Sequence, residues 1–334
     1  MNQLSDYDFD LPEDLIAQVP LNDRAASRLL WLHRESGRVE HRAFREVTEL
    51  LRPGDLLVVN DTRVSAVRVK GRKATGGAVE ALLLHETADG CYEAMVKPGR
   101  RLPDGTRIEL AGLPATVEGG GGIRTVRFDP VPDLRVRLAE AGETPLPPYI
   151  HERLDDAERY QTAYAREEGS AAAPTAGLHF TPEILDALRT GGVEVARVTL
   201  HVGIDTFKPL QTENLDEHRM HGEVCEVSPA AAEAVARCEG RIVAVGTTSV
   251  RTLESFATGR RRLEPGRRRS NLFIRPGYEF QIVDGMFTNF HLPRTTMLAM
   301  ISALAGYEEV RSAYRAALEE RYRFLSFGDS MLIL

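Results

Sequence analysis

The chain has 334 residues with a formal net charge of −7, 43% hydrophobic and 27% charged residues, an ordinary soluble composition with length for two or three domains. No apolar run approaches a membrane span and Met1-Asn2-Gln3-Leu4-Ser5-Asp6 lacks the basic and apolar regions of a targeting segment, so a cytoplasmic protein without membrane partners is expected. Cys91, Cys225 and Cys238 are odd in number and far apart, which speaks for reduced thiols and against a disulfide frame or zinc ribbon.

In chain order, Asp10-Leu11-Pro12-Glu13-Asp14-Leu15-Ile16 predicts a short helix, and Asp55–Asn60 a buried strand ending in the polar turn Asn60-Asp61-Thr62-Arg63. From about Val64 to Asp129 short apolar segments (Val79–Leu84, Tyr92–Val96, Arg107–Leu110, Thr125–Phe128) alternate with glycine-rich turns, the texture of a small β-barrel or sandwich. Pro145-Leu146-Pro147-Pro148-Tyr149 then marks a rigid boundary. Beyond it helices are expected at Thr181–Thr190, Ser228–Cys238, from Val250, and at Thr295–Leu304 and Glu308–Arg321. Strands are expected at Val193–Val202, Ile242–Val245, Leu272–Ile274, Phe280–Val283 and Phe287–Asn289. Alternating strand and helix predict an α/β fold with a mostly parallel sheet, interrupted by the β-rich insertion. The expected division is residues 1–62 and 150–334 as one discontinuous α/β domain and 63–149 as an inserted β-barrel domain.

Five short strings carry chemistry. Pro174-Thr175-Ala176-Gly177-Leu178-His179-Phe180-Thr181 crowds a hydroxyl, a glycine backbone and an imidazole ahead of a helix that Thr181 caps and Pro182 opens. Ile242–Val245 followed by Gly246-Thr247-Thr248-Ser249 has the grammar of a phosphate or ribose cradle, without the lysine of a Walker loop or the further glycines of a dinucleotide fingerprint. Asn289-Phe290-His291-Leu292-Pro293-Arg294 sets an amide, an imidazole and a guanidinium at a strand's end, and His201-Val202-Gly203-Ile204-Asp205 closes another strand. His218-x-x-His221-x-Glu223 lacks the spacing of a zinc-binding helix and reads as a polar loop, so no metal is expected. Together the strings point to one polar pocket for a nucleoside-like ligand, with groups able to move protons. The acidic net charge argues against general nucleic-acid binding, while Arg260–Arg262 and Arg267–Arg269 form local basic runs.

Nearly end to end, the chain resembles the S-adenosylmethionine:tRNA ribosyltransferase-isomerase family of queuosine biosynthesis. The resemblance rests on Tyr7-Asp8-Phe9-Asp10-Leu11-Pro12, Asn60-Asp61-Thr62-Arg63-Val64, Leu146-Pro147-Pro148-Tyr149-Ile150, Pro174–Thr181, His218-x-x-His221, Gly246–Ser255, Phe273-Ile274-x-Pro276-Gly277-Tyr278, Thr288–Pro293 and Gly328-Asp329-Ser330-Met331-Leu332. Ser270-Asn271, Ser330 and the Arg-rich stretch 260–269 depart from the family pattern.

The resemblance implies transfer of the ribosyl part of S-adenosylmethionine to 7-aminomethyl-7-deazaguanine at the wobble position of tRNA. Rearrangement gives epoxyqueuosine, with release of adenine and methionine. S-adenosylmethionine is then a co-substrate and no prosthetic group is expected; the partner is that tRNA, and the chain is expected to be a monomer. His179 or His291 is expected to remove the acidic 5′ proton beside the sulfonium. Thr247, Thr248 and Ser249 would hold the purine, Arg251 or Arg294 the methionine carboxylate, and Asp205 or Glu254 ribose hydroxyls or the substrate amine. Thr175, Gly177, Phe180, His201, His221, Gly246, Tyr278 and Asn289 complete the expected substrate-binding set. The rival readings are an S-adenosylmethionine methyltransferase, which product mass separates, and a non-catalytic tRNA-binding module, which cofactor binding separates.

Overall fold

A computed structural model describes residues 2–99, 102–203, 212–220 and 222–334 of the protein. The chain divides into two compact units, one of Met1–Thr62, Pro148–Glu167 and Ala173–Leu334, the other of Arg63–Pro147 and Glu168–Ala172.

The larger unit is built on a nine-stranded sheet. Its order is Gly266–Ser270, Glu223–Val227, Glu194–Leu200, Leu56–Asn60, Ile242–Val245, Gly285–Asn289, Ser330–Ile333, Arg28–Leu32, Val39–Ala43. The four strands from Glu194–Leu200 to Gly285–Asn289 run parallel. Leu56–Asn60 and Ile242–Val245 are buried along their whole length, as strands covered on both faces must be. Toward the edges antiparallel pairings enter, so the sheet is mixed rather than mostly parallel. Arg28–Leu32 again runs parallel to Ser330–Ile333. One hydrophobic cluster collects Leu29, Phe44, Leu57, Val59, Phe180, Leu185, Val243, Phe287 and Leu332. Phe290, Tyr314, Tyr322 and Phe324 form a separate ring cluster.

The smaller unit is a closed antiparallel barrel in the order Arg124–Phe128, Cys91–Lys97, Ala78–Ala88, Val67–Lys73, Thr106–Leu110, Leu113–Glu118. Closure leaves no unpaired edge. Alternate residues such as Val69, Ala81, Leu83, Ala94, Leu110, Val117 and Val126 fill its interior.

Local signals act as read at several helices. Thr181 accepts from the Ile184 amide and Pro182 opens Pro182–Thr190, while Ser228 caps Pro229–Arg237 through the Ala231 amide. The helices Thr296–Ala305 and Tyr307–Glu319 lie where periodicity predicts them. Other expectations need correction. Between Asp10 and Ile16 only the 3-10 turn Glu13–Leu15 forms. The helix expected from Val250 begins at Gly246. Leu272–Ile274 is not a strand, and neither is Phe280–Val283, because the amides of Gln281, Ile282 and Val283 donate to the Glu254 carboxylate instead of a ladder. The arginine run Gly266–Ser270 takes the edge position, where charged side chains reach water.

Candidate active site

The parallel strands end together at Leu200, Asn60, Val245 and Asn289. In open α/β sheets ligands gather at such ends, and most of the chemically informative strings meet there. Gly246 makes the turn out of Ile242–Val245 with φ +83°, a conformation that favours glycine.

Four side chains form a hydrogen-bonded line. Thr175 Oγ1 donates to Asn289 Oδ1 at 3.0 Å, and Asn289 Nδ2 lies 3.5 Å from His179 Nε2 and 3.2 Å from the Leu325 carbonyl. His179 Nδ1 meets Ser27 Oγ at 2.8 Å, and Ser27 Oγ reaches the Arg24 carbonyl at 3.3 Å. With the amide N–H facing Nε2 and Ser27 donating onward, one assignment satisfies the line: the His179 proton sits on Nδ1 and the Nε2 lone pair is held only by a long contact. His179 is 5% exposed and its ring lies 5.0 Å from that of Phe44. Burial, reinforced by the Arg24 and Arg323 charges, lowers its pKa to about 4, so the imidazole is neutral at neutral pH.

His291 belongs elsewhere. Thr288 and Asn289 project to opposite faces of their strand, and His291 Nε2 meets Thr288 Oγ1 at 2.7 Å while its amide donates to Tyr314 Oη at 2.9 Å. Burial lowers its pKa to about 4 as well. The two candidate bases are therefore separated, and His179 alone joins the Thr175–Asn289 line.

A second polar group closes the neighbouring strand ends. Thr62 Oγ1 and His201 Nδ1 are 2.8 Å apart, and burial, with the Arg267 charge, lowers the His201 pKa. Asn60 Oδ1 accepts from the Leu200 and Thr62 amides, and the Asp61 carboxyl accepts from Thr199 and faces Arg166 Nη2 at 3.1 Å. Burial raises the Asp61 pKa. Gly177 brings its backbone against Tyr164: a Cβ there would sit 2.0 Å from the Tyr164 hydroxyl. That hydroxyl, Thr162 Oγ1 and Thr248 Oγ1 are buried without a hydrogen-bond partner among the described residues. A Cβ on Gly246 would lie 3.5 Å from Ala176 and 3.6 Å from Thr248 Oγ1, so this group adjoins the Thr175–His179 turn. Thr247 is half-buried in the same first helical turn.

Several expected ligand contacts are instead internal ones. Phe180 is fully buried, edge-on to Phe44 and Phe287. Ser249 bonds back to the Val245 carbonyl. Arg251 is buried in an ion pair with Glu223 and also reaches the Ser270 carbonyl at 3.3 Å. Glu254 accepts from three backbone amides and from the Tyr278 hydroxyl at 3.1 Å, which occupies its carboxylate oxygens with internal donors. Burial, then the Glu254 charge, pushes the Tyr278 hydroxyl upward. Arg294 is exposed, in the left-handed region at φ +58°, and paired with Asp8 at 3.4 Å and Glu213 at 2.6 Å. Asp205 and His221 lie outside the described residues. Among the described residues no three His, Cys, Asp or Glu side chains are grouped to hold a metal.

The model of the queuosine biosynthesis protein family matches residues 4–333. The chain belongs to that family. It is 52% identical over 342 residues to the S-adenosylmethionine:tRNA ribosyltransferase-isomerase of Symbiobacterium thermophilum, covering 99% of this chain and 100% of that protein. The enzyme of the same name from Moorella thermoacetica is 50% identical over 342 residues, with 99% and 100% covered. A crystal structure of S-adenosylmethionine tRNA ribosyltransferase from Thermotoga maritima superposes with a TM-score of 0.58 at 38% identity, covering 99% of this chain and 100% of that one. The family fold thus includes both the α/β unit and the small barrel. At this candidate site, sequence reasoning missed Ser27 and Tyr164, and took Asp61 and Thr62 as a turn and as part of a family string without a role at the site. No short string contains Ser27 with His179, 152 residues apart; the turn signal Asn60-Asp61-Thr62 at a strand end was the available clue to the others.

Proposed function

We propose that this chain is an S-adenosylmethionine:tRNA ribosyltransferase-isomerase, transferring and rearranging the ribosyl group of S-adenosylmethionine onto 7-aminomethyl-7-deazaguanine in tRNA, with release of adenine and methionine. Family membership supports the reaction. The observation that supports the site is the line Thr175–Asn289–His179–Ser27 at the C-terminal ends of the parallel strands. Residues 1–62 and 150–334 form the catalytic domain of this reading and 63–149 an inserted barrel domain. The chain acts as a cytoplasmic monomer without a prosthetic group. Among the described residues no helix is long and apolar enough to cross a membrane.

The chemistry asks for a base, and the substrate lowers the demand on it. The sulfonium acidifies the adjacent 5′ carbon, so a neutral imidazole removes that proton through its lone pair at Nε2. Ser27 holds the Nδ1 tautomer that presents this lone pair, and Asn289 fixes the ring. The resulting imidazolium, destabilised by burial and by Arg24 and Arg323, passes its proton to the departing adenine as the glycosidic bond breaks. Base and acid are then one group in turn. Thr248, Thr175 and Gly246 form the polar surface that receives the nucleoside.

The test is mass analysis of an anticodon fragment after incubation with S-adenosylmethionine and tRNA bearing the aminomethyl base. A gain equal to the rearranged ribosyl group, with free adenine and methionine, is expected. A methyl-sized gain assigns a methyltransferase, and no gain with tight tRNA binding assigns a binding module. His179→Ala is expected to lower turnover at least about 100-fold with tRNA affinity intact, and His291→Ala to lower it less than tenfold. The reverse ranking overturns the assignment of the base.

A further inference from the structure

A narrow recess opens beside His179, lined among others by Arg24, Ser27, Arg159, Ser326 and Gly328. Its volume of about 20 Å³ holds little more than one water-sized group, the terminal atoms of a ligand and not a nucleoside, since a single water needs about 10–15 Å³. Two guanidiniums flank it. Arg24 donates to the carbonyls of Gln161 at 2.8 Å and Glu158 at 3.0 Å, and Arg159 donates to those of Asn22 at 3.1 Å and Leu21. These reciprocal bonds tie residues 21–24 to residues 158–161, but each partner is a carbonyl and brings no negative charge. Among the described residues neither guanidinium has an ion-pair partner. Asp156 and Glu158, the acids whose charges act on Arg24, are exposed, whereas Arg159 opposes the Arg24 charge. Among the described residues Arg159 Nε is buried without a hydrogen-bond partner. Like charges held together in a partly buried place call for an anion.

We propose that Arg24 and Arg159 seat the methionine carboxylate of S-adenosylmethionine beside His179. The inference rests on the functional reading above and adds to it the place where the substrate's anionic end binds. The carboxylate and the 5′ carbon of that substrate are only a few bonds apart, so a seat adjoining the base is where geometry requires it. An RNA phosphate carries a nucleoside on either side and suits an open groove. A recess walled by the buried Ser27 and His179 suits a terminal group. The assignment also replaces the role expected of Arg251 and Arg294, which are held by Glu223 and by Asp8 and Glu213.

Equilibrium binding of S-adenosylmethionine and of its decarboxylated analogue tests the seat on the full chain. A charge-assisted bidentate contact makes the wild-type chain prefer S-adenosylmethionine by about 10- to 100-fold. Arg24→Gln and Arg159→Gln are expected to abolish that preference while binding the analogue and the tRNA as the wild type does. Arg24→Lys and Arg159→Lys, which keep the charge, retain part of it and serve where the glutamine variants do not fold. Equal wild-type affinity for both compounds overturns the proposal, as does a preference that survives in the variants. Equal loss of both ligands assigns the arginines to a structural clasp, and weakened tRNA binding alone assigns them to an RNA phosphate; either outcome overturns the seat. The mass gain on tRNA is scored separately on the wild type, so a failure of the reaction is not confused with a failure of the seat.

Discussion

A neutral imidazole closed in by Phe44 and approached by two guanidiniums carries a pH signature. The folded-state pKa of His179, about 4, lies below its ordinary value of about 6.5. The unfolded chain therefore binds the proton first. The stabilising contribution is fully present above about pH 6.5 and is lost progressively as pH falls from there toward 4, by about 3 kcal/mol in all. Denaturant titrations of the wild type and of His179→Leu at pH 7 and pH 5 are expected to show a smaller acid loss in the variant. The same depression predicts that the acid limb of kcat/KM falls near pH 4 rather than near 6.5. Tyr164 gives a second residue-level prediction. Among the described residues its buried hydroxyl has no hydrogen-bond partner, and it would meet a Cβ on Gly177 at 2.0 Å. Gly177→Ala is expected to destabilise by about 2 kcal/mol or more, and Tyr164→Phe alone to be neutral or stabilising by up to about 1 kcal/mol. In a double-mutant cycle the phenylalanine recovers part of the alanine's cost, which thermal unfolding measures.

At the scale of elements, one carboxylate organises a segment that has no secondary structure of its own. Glu254, on the helix Gly246–Ser255, accepts the amides of Gln281, Ile282 and Val283 and the Tyr278 hydroxyl. Glu254→Gln turns one acceptor into a donor that faces those amides, and is expected to cost about 3 kcal/mol by chemical denaturation. The segment illustrates why some elements were not legible. Phe280–Val283 has the apolar content of a strand, but only the fold brings a distant carboxylate to its amides. Gly266–Ser270 is polar enough to read as a loop, yet it pairs as an edge strand because Glu223–Val227 offers a free ladder. Helices with local start signals, at Thr181-Pro182 and Ser228-Pro229, were legible because their caps act within a few residues. The polar end of Leu56–Asn60 was legible for the same reason. Thr175, His179 and Asn289 could be picked out by type and position, whereas Ser27, Arg24 and Arg159 become neighbours of the site only through long-range topology.

At the scale of the whole molecule, a net charge of −7 confines an RNA partner to local positive surface. Arg267 and Arg269 are exposed on the edge strand, while Arg268 is engaged by Glu264 and lies over the Phe256 ring. Neutralising Arg267 and Arg269 together is expected to reduce the slope of log affinity for tRNA against log salt by about 2. Arg268→Ala should instead lower stability, with a smaller change of slope. Filter binding across a salt series distinguishes the two variants. The α/β class and the barrel were legible from texture, because strand spacing and glycine-rich turns are local. The mixed character of the sheet was not, since it depends on Ser330–Ile333 pairing antiparallel with Gly285–Asn289 and then parallel with Arg28–Leu32 across nearly the full chain.

That last pairing has a consequence for partial unfolding. Ser27 stands at the mouth of Arg28–Leu32, and this strand joins the rest of the sheet through Ser330–Ile333. The partner that orients the His179 ring is therefore anchored by a pairing between distant parts of the chain. A substitution that loosens Ser330–Ile333 keeps every group of the His179 line and disturbs its alignment, so turnover is expected to fall before the fold is lost along a denaturant titration.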